Sequence, residues 1–291
     1  MTFNDDAQIS GSKVKRRGRG AAVGGGVGIV GVIAFFLIYQ FTGIDLSGVA
    51  PQGGTGGGSD EQVAACTGEE ANNGNLDCRL AGTAESLDQF WGEQLPELGG
   101  TYRTPEFVLF TASVSTGCGN ATSASGPFYC PPDETVYIDT DFYADLESKY
   151  GASGGPLAQM YVLAHEWGHH IQNIGGLMEG LDLQTTGPAS DGVRLEVQAD
   201  CFAGAWVAAA STTEDATGDS YLKPATDAEI KDALSAASAV GDDRIQESTQ
   251  GQVTPETWTH GSSESRQKWF LAGYKGGANA CNTFEVPDSQ V

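Results

Sequence analysis

The stretch Val162-Leu163-Ala164-His165-Glu166-Trp167-Gly168-His169-His170-Ile171 contains a His-Glu-x-x-His spacing. Residues four apart stand one above the other on a helix, so His165 and His169 point two imidazoles at one spot. That is the spacing a zinc ion takes from a single helix. Glu166 lies beside the same spot, placed to accept a proton from water that the ion activates. The reading needs a buried helix. Gly155 and Pro156 precede the stretch, and proline suits a first helical position. Leu157, Met160, Tyr161, Val162, Leu163, Ala164, Trp167 and Ile171 put apolar groups almost all round, as in a helix deep in a core. Asn173-Ile174-Gly175-Gly176 supplies the stop.

A catalytic zinc keeps three protein ligands and one open position. The chain has only 4 histidines, which turns the search for the third ligand towards carboxylates. A second long helix is predicted from about Ser190 to Ala210, with Leu195, Ala199, Phe202 and Trp206 as its buried stripe. Glu196 and Asp200 lie four apart on the flank of that helix. A buried carboxylate pair is costly unless something cationic meets it. Glu196 is therefore the candidate third ligand, completing a His₂Glu set. Asp200 is the candidate to accept the other ring N–H of His165 and fix its orientation. The oxyanion formed when water attacks a carbonyl needs a further donor. His260 leads here as the histidine outside the helix motif, with Arg266 and Tyr137 as alternatives. His170 points about 100° away from His169 and reads as structural or as a surface residue.

The flanking chain reads as α+β: a mainly helical, zincin-like domain with a small sheet, over residues 61–291. Leu80, Leu87, Phe90, Trp91 and Leu95 give a helical pattern, and Phe107–Phe110 and Thr135–Asp139 give strand signals. Thr135–Asp139 is read as an edge strand able to pair with substrate backbone. Thr226-Asp-Ala-Glu229 reads as a capping box opening a third helix. A last helix carries Trp269, Phe270 and Tyr274 and ends at Gly276-Gly277. The 6 cysteines read as disulfides in an oxidising space, against the alternative of free buried thiols. Cys66–Cys78 and Cys118–Cys130 close short local loops, and Cys201–Cys281 follows by elimination.

Lys13, Lys15, Arg16, Arg17 and Arg19 are five of the 15 basic residues, whereas the formal net charge is −23. An acidic body has nothing to neutralise phosphates, which argues against nucleic acid. No charge falls between Gly20 and Ile44. That run is long enough to cross a bilayer of about 30 Å, and the basic cluster before it predicts a cytoplasmic N-terminus. The expectation is a basic cytoplasmic tail over residues 1–20, a transmembrane anchor over 21–44, a glycine-rich linker over 45–60 and an extracytoplasmic domain beyond. A cleaved signal peptide is the rival reading, with Pro51 behind its cleavage-like site as the argument against. Gly24 and Gly28 have the spacing that packs two anchor helices into a homodimer.

His165-Glu-Trp-Gly-His169-His-Ile-Gln-Asn173, Arg194-Leu-Glu196-Val-Gln-Ala-Asp200-Cys-Phe-Ala-Gly204, Gly126-Pro-Phe-Tyr-Cys-Pro131 and Thr259-His-Gly-Ser-Ser-Glu264 resemble the neutral zinc metallopeptidase family of bacteria. Asp6-Ala-Gln-Ile-Ser-Gly11 and the basic stretch after it fit the same family. The resemblance spans nearly the whole chain apart from the linker. It implies a single-span, membrane-anchored, extracytoplasmic zincin. The Glu-x-x-x-Asp on the second helix is similar to that of thermolysin-like zincins, in which the Glu ligates zinc and the Asp supports the first histidine. That similarity implies those roles for Glu196 and Asp200, while the match of His260 to their oxyanion histidine is one of position.

These readings together describe a zinc-dependent metalloendopeptidase, one Zn²⁺ per chain, acting on peptide or protein substrates at the cell membrane. A non-catalytic zinc-bearing scaffold of the cell envelope is the alternative, and it has no use for Glu166 as a base. An amidase acting on cell-wall peptides shares the same site and differs in substrate.

Overall fold

The structure is a computed structural model and describes residues 1–17 and 60–291. Eight α-helices are found among the described residues: α1 (Gly68–Asn72), α2 (Leu76–Glu97), α3 (Phe142–Ser148), α4 (Pro156–Ile174), α5 (Asp191–Ala209), α6 (Asp227–Ala239), α7 (Asp242–Gln250) and α8 (Ser263–Gly276). α4 is the axis of the molecule. Gly155 is its extended N-cap, Pro156 takes the first position, and Gly175 ends it. Every residue from Met160 to Gln172 is buried, because α2, α5, α6 and the sheet cover different faces of the helix. This is why its sequence is apolar all round.

α5 packs against α4 and α8. A Cβ at Gly168 of α4 would lie 3.0 Å from the Cα of Ala199. Across the other face, a Cβ at Gly273 of α8 would sit 1.8 Å from the carbonyl oxygen of Cys201, so glycine is required for backbones this close. The close crossing on the α4 side brings the midpoints of α4 and α5, where the site residues lie, together. Thr226 and Glu229 form the expected capping box at the start of α6.

The main sheet has the strand order β3 (Asp60–Gln62), β2 (Val14–Arg17), β5 (Glu106–Phe110), β9 (Thr135–Asp139), β8 (Phe128–Cys130). β2, β5 and β9 run parallel, and the two outer strands are antiparallel to their neighbours. β1 (Gln8–Ile9) pairs with β4 (Cys66–Thr67), and β6 (Ser113–Thr116) with β7 (Gly119–Thr122). β9 is flanked by β5 and β8, so Thr135–Asp139 is not the edge strand expected from its sequence. Its backbone groups are already committed on both sides.

The N-terminal segment differs most from expectation. Residues 1–17 are part of the fold rather than a separate basic tail. Phe3, Ile9 and Val14 are buried, and β2 lies inside the sheet beside β5. Glu85 of α2 accepts hydrogen bonds from Ser10 and Gly11 and from the Tyr221 hydroxyl, fastening this segment to the core. The basic side chains meet carboxylates of the body: Lys13 with Asp88, Lys15 with Glu106, Arg16 with Asp77 and Arg17 with Asp60.

This placement overturns the membrane topology read from the sequence. A strand hydrogen-bonded into a sheet cannot lie across a bilayer from the rest of that sheet. A cytoplasmic N-terminus with the remaining domain outside is therefore excluded. Among the described residues no helix is long and apolar enough to cross a membrane. The stretch 21–44 expected as a transmembrane helix, its Gly24/Gly28 pairing motif and the linker up to residue 59 lie outside the described residues.

Three disulfides join Cys66 to Cys78, Cys118 to Cys130 and Cys201 to Cys281. The first pins β4 to the start of α2 and the second ties the β6–β7 hairpin to β8. The third holds the C-terminal segment against α5. Arg194 secures the same segment, donating to the carbonyls of Thr283 and Val286 and to the Asp288 carboxylate.

Candidate active site

His165 and His169 stand on successive turns of α4, and Glu196 reaches them from α5. The Nε2 atom of His165 is 3.2 Å from Oε2 of Glu196, and that of His169 is 3.4 Å from its Oε1. One donor atom from each of the three residues falls within 4.8 Å of the others, and all three are buried. Two imidazoles and a carboxylate make a donor set that fits a four-coordinate divalent ion with one open position. Burial works against ionisation of Glu196, but the flanking imidazoles, His169 first, hold its carboxyl well below the usual carboxylate range.

Asp200, one turn beyond Glu196 on α5, takes the opposite nitrogen of His165. The Nδ1–H donates to Oδ1 of Asp200 at 2.8 Å. The Arg266 guanidinium from α8 forks onto the same carboxylate, Nε to Oδ2 at 2.8 Å and Nη2 to Oδ1 at 3.0 Å. The Tyr161 hydroxyl also donates to Oδ1. Burial opposes ionisation of Asp200, yet the charge of Arg266 and then His165 brings its carboxyl down to about 2. Asp200 in turn holds His165 on the raised side against the pull of burial. Arg266 is thus committed to Asp200, although it also lines the cleft.

His169 is oriented by a neutral group. Its Nδ1 lies 2.8 Å from Oε1 of Gln172, one turn further along α4. Burial pushes this ring down to about 4, so it is uncharged at neutral pH. Glu166 faces the cleft beside the two histidines, and burial raises its carboxyl to about 7.

His260 joins the site from the loop before α8. Asp242, at the start of α7, accepts the backbone N–H groups of Thr259, His260 and Gly261 at 2.7–3.1 Å and lies 3.2 Å from the ring Nδ1. Burial works against the imidazolium, but Asp242 raises the His260 pKa above its ordinary value. The cleft of about 120 Å³ is lined on its polar side by His165, Glu166, His169, Glu196, His260 and Arg266. Pro127, Phe128, Phe142, Val162, Val240 and Ile245 form apolar walls.

The structure therefore gathers His165, Glu166, His169, Glu196, Asp200, His260 and Arg266. It does not bring in Tyr137, whose hydroxyl donates to Asp133 while its ring stacks on Phe128. His170 is structural: its Nε2 bonds the Arg103 carbonyl at 2.7 Å and its Nδ1 the Tyr129 hydroxyl at 3.0 Å. Gln172 and Asp242 escaped the sequence reading. His169-x-x-Gln172 places both residues on one helix face and was the available signal for the first. No spacing rule links Asp242 to His260 across a loop.

A family model described as "Putative neutral zinc metallopeptidase" matches residues 3–284. An uncharacterized protein of Mycobacterium tuberculosis is 50% identical over 224 residues, covering 76% of this chain and 75% of that protein. The uncharacterized protein YpfJ of Escherichia coli is 35% identical over 288 residues, covering 96% of this chain and 94% of its own. No solved structure matches the chain.

Proposed function

We propose that this chain, which belongs to the neutral zinc metallopeptidase family, is a zinc-dependent endopeptidase in which His165, His169 and Glu196 hold the ion and Glu166 is the general base. The observation that carries the reading is the convergence of two imidazole Nε2 atoms on the two oxygens of Glu196, with Glu166 on the adjoining cleft wall. Bound zinc supplies Lewis acidity toward a carbonyl oxygen and toward water. The chain supplies the rest. Glu166 takes the proton of the attacking water and passes it to the leaving amine. Asp200 and Gln172 fix the ring planes of the two histidines. His260, with Nδ1 turned to Asp242, presents its other nitrogen to the developing oxyanion. The apolar walls receive substrate side chains beside the scissile bond and exclude water from it.

The test compares the full chain with Glu166→Gln for zinc content and for cleavage of a mixed peptide library. Both proteins are expected to hold one zinc, with kcat/KM falling about 100-fold or more in the variant. A wild type that holds zinc and cleaves nothing, or a variant as active as the wild type, sinks the assignment of Glu166.

A further inference from the structure

The orientation of His169 is set by hydrogen bonds that begin at the C-terminal disulfide. Nε2 of Gln198 on α5 lies 2.8 Å from the carbonyl oxygen of Cys281. A carbonyl can only accept, so the NH₂ end of that amide must face it. Its Oε1 then faces Gln172, whose Nε2 is 3.1 Å away. The same Nε2 is 2.7 Å from the carbonyl of Leu195, a second group that can only accept. The remaining end of Gln172, Oε1, is the one 2.8 Å from Nδ1 of His169. An amide oxygen cannot donate, so Nδ1 carries the hydrogen and Nε2 keeps the lone pair that faces Glu196. Turning either amide over would set buried oxygens against each other. Gln172, Gln198, His169 and Cys281 are all buried, so water cannot substitute for a lost partner.

We propose that Gln172, Gln198 and the Cys281 carbonyl form a positioning relay that holds His169 in its Nδ1–H tautomer and aims Nε2 at the metal position. The relay is uncharged along its whole length. Its far end is fixed because Cys281 is bonded to Cys201 on the same helix as Gln198. Gln172 and Gln198 touch neither substrate nor reacting atoms; they act through His169. The inference rests on the reading of His165, His169 and Glu196 as ligands.

Two measurements test it, neither of them activity. Long-range ¹H–¹⁵N spectra of the zinc-depleted wild type read the tautomer of each histidine directly. His169 is expected as Nδ1–H, and an Nε2–H ring overturns the relay. Chelator competition with zinc then compares the wild type with Gln172→Met, which keeps the side-chain length and removes both ends of the amide. Affinity is expected to fall about 10- to 100-fold. A smaller fall is expected for Gln198→Met, which leaves Gln172 bonded to Leu195 and serves if the first variant does not fold. Folded variants with unchanged zinc affinity overturn the relay. A wild type that takes up no zinc overturns the ligand reading instead, and the tautomer spectrum still decides the relay.

Discussion

The two imidazoles that meet at Glu196 are held by unlike surroundings. Behind His165 stand a carboxylate, a guanidinium and a phenol: Asp200, Arg266 and Tyr161, each from a different helix. Behind His169 stand two amides and two backbone carbonyls. Both arrangements orient a ring, and neither adds net charge, because Arg266 neutralises Asp200. The difference lies in what failure costs. On the His165 side, losing either Asp200 or Arg266 leaves the other's charge buried and alone. On the His169 side it leaves an unpaired amide. The first side therefore ties the site to global stability, while the second tunes the site with less consequence for the fold.

The largest expected effect comes from Asp200→Ala. Arg266 is 3% exposed and would lose both of its bonds to carboxylate, at a cost of about 3–5 kcal/mol. Denaturant unfolding of the zinc-depleted protein measures this without interference from the ion. The contrast between the two sides breaks down if Gln172→Met destabilises as much as Asp200→Ala.

A smaller effect follows from pH. The folded pKa of Asp200, about 2, lies below the value of an unfolded aspartate, so its contribution is fully present above about pH 4 and disappears as pH falls towards 2. That is about 2 kcal/mol for this one group. Unfolding curves of the zinc-depleted wild type at pH 5 and pH 2.5 are expected to differ by more than those of Asp200→Asn. Equal acid sensitivity in the two proteins would show that Asp200 is not the group being titrated.

Of this contrast the sequence offered Asp200 behind His165 and none of the groups behind His169, and both the reach and the limit of that reading have physical causes. α4 was legible because its run is apolar almost all round between Pro156 and Gly175, and α5 because its apolar positions follow the helical period. Once both stretches are helices, the i, i+4 spacing puts His165 with His169 on one face of α4 and Glu196 with Asp200 on one face of α5. The local disulfides Cys66–Cys78 and Cys118–Cys130 were legible from loop length alone. β2 was not. Val14-Lys15-Arg16-Arg17 is four residues long with three bases, and its strand character comes from β5, more than 90 residues away. Beside an uncharged run, its bases pointed to a membrane face, whereas Glu106, Asp77 and Asp60 are what they meet. Gln198 is silent in sequence, since its role depends on a carbonyl 83 positions later.

The finest probe of the comparison gives the neutral side a carboxyl of its own. In Gln172→Glu the new side chain still has an oxygen for the Nδ1–H of His169. Its second oxygen, however, must sit where the Gln172 NH₂ now donates to the Leu195 carbonyl. Only the protonated acid can donate there, so the folded state favours the neutral form and raises the pKa of the introduced group. Stability of the variant is then near that of the wild type at about pH 4 and falls as pH rises through the raised value. The loss at pH 8 is about 1–3 kcal/mol, the cost of one unsatisfied buried group. The sign is opposite to that of Asp200, whose stabilisation is lost as pH falls. Unfolding of zinc-depleted Gln172→Glu from pH 4 to pH 8 decides the matter. A flat profile would mean that the Leu195 carbonyl does not constrain Gln172, and the two sides of the site would no longer differ in kind.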